Sequence, residues 1–188
     1  MNQNNRCSWC GNDKEYIYYH DNEWGVPLHG DRELFELLTL EGAQAGLSWL
    51  TILRKRQNYK QAFKDFNVQK IALLTKSDIE KLLNNEGIIR NKLKILSVVK
   101  NAQVVLEIEK EFGSLDNFLW KYVDNKSLSK SQTKKATTIA KQLSSDLKSL
   151  GMNFVGPTIV YAFMQSSGMI NDHEKNCFRS KQILRATT

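Results

Sequence analysis

Glu41 is the only charged residue between positions 38 and 53, in a stretch that is mostly apolar or small. If this stretch is one helix, Ala45, Ser48 and the indole of Trp49 share the face of the carboxylate. Taking an unpaired carboxylate out of water is costly. The stretch therefore predicts one of two arrangements: Glu41 caps a turn or pairs with a lysine or arginine, or it forms the floor of a ligand pocket.

Small residues next to Glu41 favour the pocket, because they let a ligand or another backbone approach closely at some cost in helix stability. They are Gly42, Ala43, Ala45 and Gly46. The large apolar side chains of the same stretch are equally well explained as plain core. These are Leu47, Trp49 and Leu50.

Cysteines and histidines near the two ends of the chain could hold a metal ion. His173 and Cys177 are four residues apart, so on a helical turn both side chains point the same way. The other candidates lie near the N-terminus and are Cys7, Cys10, His20 and His29. A closed structural zinc site takes four nitrogen or sulfur ligands. Choosing Cys7 and His20 would join the N-terminal segment to the C-terminal one.

Two other interpretations of these residues stay open. The cysteines could be ordinary buried thiols beside hydrogen-bonded histidines, and their odd number, three, argues against a disulfide framework. Residues 173–177 (HEKNC) also resemble the His-Glu-x-x-His helix of zinc peptidases, with Glu174 as the general base. A catalytic zinc needs an open coordination position, so a thiolate in the second ligand place favours a closed structural site.

Length and composition predict a nearly all-helical protein over residues 1–188, either one compact globular domain or two lobes that share a core. Only two prolines occur, and segments rich in Lys, Glu, Leu, Ile and Ala repeat with the helical period. A net charge of +7 favours a polyanionic partner. No stretch is apolar enough to cross a bilayer and the polar start is not a signal peptide, which predicts a cytoplasmic protein.

Capping signals locate the first helices. Asp31 is the expected N-cap of a helix over residues 32–40. Residues 77–80 (SDIE) predict a capping box, and the helix that it starts should end near Asn85, with Gly87 as a left-handed terminator. The basic run at 54–60 is interpreted as solvated surface, with the aromatic rings of Tyr59 and Phe63 facing inward.

The second half of the chain begins with a long predicted helix, followed by a linker. The helix covers about residues 90–112. Its expected buried stripe is Ile95, Val98, Val99, Ala102, Val105 and Ile108. Residues 126–135 are rich in lysine, serine and threonine, which predicts a surface linker.

A helical hairpin is predicted at about 136–168. Its first helix stops at Gly151, and Gly156 with Pro157 opens a second helix that ends at Gly168. Backbone N–H groups at the start of that second helix suit a DNA phosphate. Helical hairpins also occur in many proteins that bind no nucleic acid, so the pattern alone does not decide the partner.

Several short segments together resemble the DNA-3-methyladenine glycosylase I family of the helix-hairpin-helix superfamily. They are RCSW at 6–9, YIYYHDNEWGVP at 16–27, LEGAQAGLSW at 40–49, GIIR at 87–90, FVG at 154–156 and NDH at 171–173. The resemblance covers nearly the whole chain, and the block ending in WGVP is highly specific. It implies an all-α helix-hairpin-helix DNA glycosylase fold. A structural zinc site would join residues 1–30 to residues 170–188.

The resemblance also implies the metal ligands and the DNA contacts. One Zn2+ is expected on Cys7, His20, His173 and Cys177, without Cys10 or His29. The expected DNA-gripping residues of the hairpin are Gly151, Phe154, Gly156 and Thr158, with residues 87–94 as the supporting turn. The candidates to fill the gap that an extruded base leaves in the duplex are Gln44 and Leu47, beside Gly46.

The pocket implied by the family takes a methylated purine. An extruded base needs an aromatic slot, which Trp49, Tyr16, Tyr19 and Trp9 can supply. Methylation at N3 makes adenine cationic, so aromatic rings attract it and a carboxylate accepts from its exocyclic amine. By resemblance Glu41 takes this recognition role with Tyr19 beside it, and these two are the candidate catalytic residues.

One position departs from the wider superfamily. Many related glycosylases carry a catalytic aspartate two residues before a histidine, and this chain has Asn171 there, with Asp172 as a minor candidate one position on. No lysine stands out as a Schiff-base nucleophile, which predicts a monofunctional enzyme.

The expected substrate is therefore double-stranded DNA carrying N3-methylated adenine, whose cationic base departs without protonation, and the protein should be a monomer. The alternative is a zinc-clipped module that binds damaged DNA without cutting it.

Overall fold

The computed structural model describes residues 5–186, with side chains up to residue 183. The helices are α1 Lys14–Asn22, α2 Asp31–Gln44, α3 Trp49–Ala62, α4 Val68–Ala72, α5 Lys76–Leu83, α6 Lys92–Phe112, α7 Leu115–Trp120, α8 Thr133–Ser149, α9 Pro157–Ser166 and α10 Phe178–Ala186. Two short strands, β1 Leu128–Ser129 and β2 Ile170–Asn171, pair in parallel. The expectation of a nearly all-helical protein is confirmed. The first four residues of the polar start and the last two of the predicted zinc lobe lie outside the described part.

The predicted core stripe of α6 is buried. Ile95, Val98, Ala102, Val105 and Ile108 are all in the core, and Val99 packs against it half-buried. Each fully buried aliphatic side chain of this kind contributes roughly 1.5–3 kcal/mol through removal of apolar surface from water. Helix α2 lies at the centre, since every residue from 34 to 43 is buried and the helix packs against α3, α6, α7 and α9. Glu41 lies in this buried range, so its carboxylate occupies a core position.

The stretch 38–53 is not one helix, so the shared face considered for Glu41 and Trp49 does not exist. Helix α2 ends at Gln44, and α3 begins at Trp49 after a turn in which Gly46 has a φ of +77°. Ser48 caps α3 by accepting a hydrogen bond from the Thr51 N–H, as expected for a serine at a helix start. Glu41 and Trp49 therefore belong to different helices.

Three predicted helix ends also need correction. Gly30, not Asp31, is the N-cap of α2, because the Asp31 carboxylate instead accepts from the backbone N–H of Asp116. The capping box of α5 joins Thr75 to Asp78, two residues before the predicted one. Gly87 does not terminate α5 in the left-handed region, since the helix ends at Leu83 and the φ of Gly87 is not positive.

Residues 126–135 are ordered structure and not a linker. Within this segment β1 pairs with β2, and the Leu128 N–H donates to the carbonyl of Met169 at 2.9 Å. A short 3-10 turn, Lys130–Gln132, then leads directly into α8. The polar composition misled the prediction because strand pairing depends on a partner that is about forty residues away. The segment reaches the cavity described below through Lys130.

The basic run at 54–60 is only partly solvated. Tyr59 and Phe63 are buried, as predicted. Arg56 is different, because its guanidinium pairs with Glu23 and with the buried Glu36, at 2.6 Å from the latter. These contacts hold α3 against α2 and against the end of α1. Among the described residues no helix has both the length and the hydropathy needed to cross a membrane.

The predicted helical hairpin is formed by α8 and α9. Gly151 has a φ of +97°, which favours glycine, and Pro157 is the first residue of α9. The Asn101 side chain of α6 braces the connecting loop, since its Nδ2 donates to the Asn153 carbonyl at 2.9 Å and its Oδ1 accepts from the Asn153 N–H at 2.8 Å. The Ser144 hydroxyl donates to the carbonyl of Val155 at 2.6 Å.

Candidate active site and metal site

A cavity of about 300 Å³ lies between α1, the end of α2, the start of α3 and the C-terminal half of α9. It is lined by Trp9, Tyr16, Tyr19, Trp24, Glu41, Gln44, Trp49, Lys130, Ala162, Gln165, Asp172 and Glu174. The four predicted aromatic residues and Glu41 are therefore brought together. This volume and its mixture of rings and carboxylates suit a planar ligand of the size of a nucleobase.

Glu41 is buried in this cavity, with 4% of its surface exposed. Its Oε1 accepts a hydrogen bond from the Ser166 hydroxyl of α9 at 2.7 Å. Burial raises the pKa of Glu41 to about 7, although the Ser166 hydrogen bond acts in the opposite direction. In the described part of the chain no lysine or arginine pairs with Glu41 and it caps no helix. Of the two arrangements predicted for Glu41, the structure therefore has the pocket.

Aromatic rings form the wall of the cavity. The rings of Tyr19 and Trp49 have centroids 5.4 Å apart, and the ring of Trp9 is 5.0 Å from Tyr16 and 4.9 Å from Trp24. The indole N–H of Trp49 is buried and has no acceptor among the described residues. Burial and the charge of Glu41 hold the pKa of Tyr19 well above its ordinary value. Tyr19 therefore stays a phenol that can donate a hydrogen bond.

The opposite side of the cavity carries Asp172 and not Asn171. The Asn171 amide points away and donates to the Ser180 carbonyl at 3.0 Å. The Asp172 carboxylate lines the cavity, where its Oδ2 accepts from the Gln165 amide at 2.7 Å and its Oδ1 is 3.6 Å from the Lys130 ammonium. The structure thus places Asp172, the minor candidate from the sequence, in the cavity and Asn171 outside it.

The turn between α2 and α3 joins two cavity residues, Gln44 and Trp49. Gly46 and Leu47 are exposed, and Gln44 lines the cavity itself. The ammonium of Lys94 donates to the carbonyls of Ala43 and Ala45 at 2.8 and 2.7 Å, which satisfies the C-terminal end of α2. The predicted supporting turn at 87–94 therefore contacts this helix through its last residue.

The hairpin loop rests directly on α2. An added Cβ at Gly42 would lie 3.3 Å from both the Cβ and the carbonyl oxygen of Phe154, so the small residue beside Glu41 admits the hairpin backbone and not a ligand. Phe154 has a φ of +55°. Pro157 and Thr158 at the start of α9 are exposed and Gly151 and Gly156 are half-buried, whereas Met152 and Val155 of the loop are buried, so it is the start of α9 that faces outward.

Four buried side chains from the two ends of the chain form a cluster that could hold a metal ion. They are Cys7, His20, His173 and Cys177, whose ligand atoms all lie within 4.8 Å of one another. The Cys177 sulfur is 3.4 Å from Nε2 of His20 and 3.4 Å from Nδ1 of His173. In a tetrahedral zinc site, sulfur and nitrogen ligands are about 3.6 Å apart. The donor set therefore fits a closed four-ligand site.

Hydrogen bonds behind the cluster orient both imidazole rings. Nδ1 of His20 lies 2.8 Å from the Asp21 carboxylate, which accepts from the Arg6 guanidinium at 2.7 Å. Nε2 of His173 lies 3.0 Å from the Trp24 carbonyl. Such partners fix which ring nitrogen faces a metal. An added Cβ at Gly25 would come 3.1 Å from Nε2 of His173, which explains the glycine after Trp24.

Burial affects the protonation of the cluster. It raises the pKa of Cys7 to about 12 and lowers the pKa of His173 to about 4. A metal ion binds the thiolate and the neutral imidazole, so binding displaces the thiol protons. Cys10 and His29 are not in the cluster, since the Cys10 thiol faces the Gly11 carbonyl and His29 pairs with Asp116.

Glu174 does not fit the role of a peptidase base. Its carboxylate accepts hydrogen bonds from the backbone and the hydroxyl of Ser8, at 2.9 and 2.6 Å. With four protein ligands the cluster has no open position for a catalytic water. These contacts favour a structural site over the zinc peptidase interpretation.

Several cavity residues were missed at the level of sequence. Ser166 holds Glu41, and Gln165 holds Asp172, both from the last turn of α9. A signal existed, because these two polar residues end a helix whose earlier residues are mostly apolar. Trp24, in the WGVP block, could have been found as a fifth aromatic residue of the cavity. Lys130 gave no signal, because the segment that contains it was interpreted as a linker.

A mainly helical protein with a helical hairpin and an aromatic cavity that buries a carboxylate has the features of an enzyme that acts on an extruded base. Residues 9–180 match the family model described as methyladenine glycosylase, and the chain belongs to this family. The resemblance found in the short motifs is therefore confirmed.

Three proteins illustrate the similarity. DNA-3-methyladenine glycosylase of Haemophilus influenzae (strain ATCC 51907 / DSM 11121 / KW20 / Rd) is 44% identical over 179 residues, covering 92% of this chain and 96% of that protein. DNA-3-methyladenine glycosylase 1 of Escherichia coli (strain K12) is 42% identical over 177 residues, covering 92% and 95%. A structure of 3-methyladenine DNA glycosylase I from Staphylococcus aureus, solved to explain 3-methyladenine recognition, is 40% identical with a TM-score of 0.87, covering 94% of this chain and 96% of that chain.

Proposed function

We propose that this protein is a monofunctional DNA-3-methyladenine glycosylase, which hydrolyses the N-glycosidic bond of 3-methyladenine in alkylated double-stranded DNA. The observation that carries the proposal is the buried, unpaired carboxylate of Glu41 in a cavity walled by aromatic rings. Burying an ionised carboxylate costs free energy unless a cation lies beside it. A base that carries a positive charge is the ligand that offsets this cost, and an unmodified neutral base does not.

The proposed roles of the cavity residues follow from the positive charge of the methylated base. The rings of Trp9, Tyr16 and Trp49 contact the flat faces of the extruded base. Glu41 accepts a hydrogen bond from its exocyclic amine, with the Tyr19 phenol beside it as a donor. Because the base is already cationic, it leaves without being protonated. The protein then has to hold the flipped nucleotide and admit a water molecule.

The DNA contacts are proposed on two neighbouring surfaces. The hairpin at Gly151, Phe154, Gly156 and Thr158 presents the start of α9 to a phosphate of the duplex, in the manner of helix-hairpin-helix proteins. Gln44 and Leu47 fill the gap left by the extruded base, and Gly46 forms the turn between them and contacts the DNA. The exposure of Thr158 and of Leu47, three residues after the cavity residue Gln44, supports this assignment.

For the metal cluster we propose one structural zinc ion held by Cys7, His20, His173 and Cys177. When bound, it would cross-link the N-terminal segment, which carries Trp9 and Tyr16, to the C-terminal segment. The match between the sulfur–nitrogen distances and tetrahedral geometry supports zinc. We further propose that residues 1–188 act as one domain of two lobes and that the enzyme is a monomer in the cytoplasm.

Base release tests the function directly. Purified protein is incubated with methylated duplex DNA, and the released small molecules are separated by chromatography. The parent protein should release 3-methyladenine, and Glu41→Gln should lower the rate about a hundredfold, as for loss of one buried charged contact of roughly 3 kcal/mol. Glu33→Gln is the matched control, because it makes the same change at an exposed position of the same helix. If the protein bound the DNA but released no base, the glycosylase proposal would be wrong, and the alternative of a module that binds damaged DNA without cutting it would remain.

The pH dependence gives a second test of Glu41. Its carboxylate must be ionised to attract the cationic base, and its pKa is raised to about 7. We therefore expect kcat/KM, which reports the free enzyme, to rise from about pH 6 to about pH 8 in the parent protein. The profile of Glu41→Gln should be flat over the same range. A parent profile without this rise would contradict the proposed role.

A further inference from the structure

The described part of the chain has a second concave surface, which lies between α5 and α6. This α5–α6 groove has a volume of about 530 Å³ and shares no lining residue with the aromatic cavity. Each of the two helices contributes a stripe of side chains at helical spacing, so one face of each helix is turned toward the groove. The apolar residues of the lining are Leu74, Ile79, Leu83, Leu96 and Val99.

Apolar side chains in and beside the groove are exposed. Leu96 lines the groove and is 40% exposed, and Leu73 and Leu93, each next to a lining residue in the chain, are 79% and 68% exposed. These are three of the six large apolar side chains that are exposed among the described residues. Single exposed leucines are normal, but their concentration at a concave surface marks an interaction site.

The groove is also lined by positive charge. Lys76, Lys92 and Lys100 belong to its lining, together with one carboxylate, Glu80. Other lysines of the described residues form ion pairs with carboxylates, and these are Lys60, Lys110, Lys130 and Lys135. The three ammoniums of the groove have no such partner within the described part of the chain. An occupant that brings carboxylates would supply these partners.

The combination of apolar and cationic lining selects the chemistry of the occupant. A DNA strand offers phosphates to the lysines but no apolar side chains to cover Leu96. A second copy of this chain carries the same net charge of +7, which opposes its approach to three lysines. A peptide segment with carboxylates and large apolar side chains complements both parts of the lining.

The length of the groove fits a short helix. The lining residues of α6 extend from Lys92 to Gln103, which is about 16 Å along the helix axis. About three turns of a third helix span this distance and present apolar side chains at positions i, i+4 and i+7. We propose that the α5–α6 groove binds an acidic amphipathic helix of a partner protein. The apolar side chains of that helix pack on Leu96 and Val99, and its carboxylates pair with the lysines.

A labelled peptide tests this chemistry directly. The probe is a fluorescein-labelled peptide of about fourteen residues, with leucines on one helical face and glutamates at the other positions. Fluorescence anisotropy with the full chain should give a Kd below about 1 mM. A control peptide with serines in place of the leucines should bind at least about tenfold more weakly. Absence of binding, or equal binding of the two peptides, would overturn the proposal.

The apolar part of the groove is tested at Leu96. Leu96→Ser should weaken binding of the acidic peptide about tenfold, because the peptide loses an apolar contact. Leu150→Ser is the matched control, since Leu150 is 39% exposed and does not line the groove. It should bind the peptide like the parent. An equal loss in both variants would contradict a site at the groove.

The cationic part is tested at Lys76. Lys76→Glu should weaken peptide binding about tenfold, because repulsion replaces attraction at the edge of the groove. Lys14→Glu makes the same change of net charge at the same position of another helix, since both lysines are exposed first residues of their helices. Lys14→Glu should stay within about twofold of the parent. If both variants lost affinity equally, the attraction would come from net charge alone, and the proposal would be wrong.

Two further measurements distinguish the other occupants. If the peptide did not bind and Leu96→Ser weakened the binding of undamaged duplex DNA, the groove would be a DNA surface. If sedimentation showed a dimer of the parent that Leu96→Ser dissociates, the occupant would be a second copy. Either result overturns the proposal. Base release by Leu96→Ser should equal that of the parent, so failure of this inference leaves the proposed function untouched.

Discussion

Glu41 is a carboxylate whose burial opposes folding at neutral pH. Its pKa rises from 4.5 to about 7 because the cavity removes it from water. A carboxyl group with a raised folded pKa favours the folded state while it is protonated. The contribution of Glu41 to the stability of the folded state is therefore full below about pH 4.5 and is lost as the pH rises through about 7. The fold tolerates the cost at the position where a cation is expected to bind.

Replacing Glu41 by glutamine should stabilise the protein above neutral pH. The rise in the pKa of Glu41 from 4.5 to about 7 corresponds to about 2–4 kcal/mol in the free energy of unfolding at pH values above both pKa values. We expect Glu41→Gln to be more stable than the parent by this order at about pH 8, and nearly equal to it at about pH 4.5. Urea unfolding of both proteins at the two pH values measures the difference. A difference that does not change with pH would show that Glu41 keeps its ordinary pKa.

Individual site residues were largely predictable from their types. Glu41 was identified because a single carboxylate in an apolar stretch demands a partner. This reasoning does not depend on whether the stretch 38–53 forms one helix, and α2 in fact ends at Gln44. The direction of the Asp172 side chain could not be predicted, because it depends on the pairing of β2 with β1. Neighbouring residues of an extended segment face opposite sides, so an error of one position exchanges the buried residue and the cavity residue.

At the scale of elements, the hairpin and the cavity form one unit. Phe154 of the hairpin loop contacts α2 at Gly42, next to Glu41. The loop is also tied to α6 by the two hydrogen bonds between Asn101 and Asn153. The proposed phosphate contact at Thr158 and the carboxylate of Glu41 are therefore both positioned by the packing of the hairpin loop on α2. A displaced hairpin would change both DNA binding and the cavity.

Asn101→Ala should loosen this support. The change removes two hydrogen bonds of a side chain that is 6% exposed, which costs roughly 1–3 kcal/mol of stability. We also expect weaker binding of an abasic duplex, because the hairpin loop loses its brace. Urea unfolding and a duplex titration measure the two effects. Asn84→Ala is the control, since Asn84 is exposed and bonds only within its own helix turn. Equal effects of the two changes would contradict the brace.

The sequence predicted which elements exist better than where they end. The apolar residues of α6 repeat with the helical period over most of its length, so the helix was predicted although its first residue was not. Its apolar stripe is buried as expected. The ends of α2 and α5 were missed because several polar residues near a helix start can serve as caps, and tertiary contacts such as that between Asp31 and Asp116 decide among them. The two short strands have no periodicity of their own.

At the scale of the whole molecule, charge is distributed in two opposed ways. The chain carries a net charge of +7, which attracts DNA over a distance of about 10 Å at moderate salt. The cavity instead is lined by three carboxylates, Glu41, Asp172 and Glu174, and one ammonium, Lys130. The surface thus favours any DNA, whereas the cavity favours a positively charged base.

Removal of metal should destabilise the protein. An ion present at a thousand times its Kd contributes about 4 kcal/mol, which for a chain of this size is a change of roughly 8–16 °C in Tm. We expect a chelator to lower Tm by this order and Cys7→Ser to abolish metal binding. Cys10→Ser, at a cysteine outside the cluster, should bind metal like the parent.

Metal loss should also be easier at low pH, because protons compete for the thiolates and imidazoles. Elemental analysis after chelation at two pH values, combined with thermal unfolding, checks both expectations. An unchanged Tm after complete metal removal would contradict a structural role.

The cluster draws its ligands from both ends of the chain, and Cys7 lies 166 positions before His173. A ribosome adds about 5–20 residues per second, so roughly ten to thirty seconds separate the emergence of these two ligands. During that time the cluster cannot hold a metal ion with four ligands, because His173 and Cys177 have not yet been made, and the entropy cost of closing so long a loop is not yet offset. The proposed cross-link between the two ends of the chain is thus completed by the last part of the chain to be made. Chains truncated before residue 173 are expected to capture no 3-methyladenine.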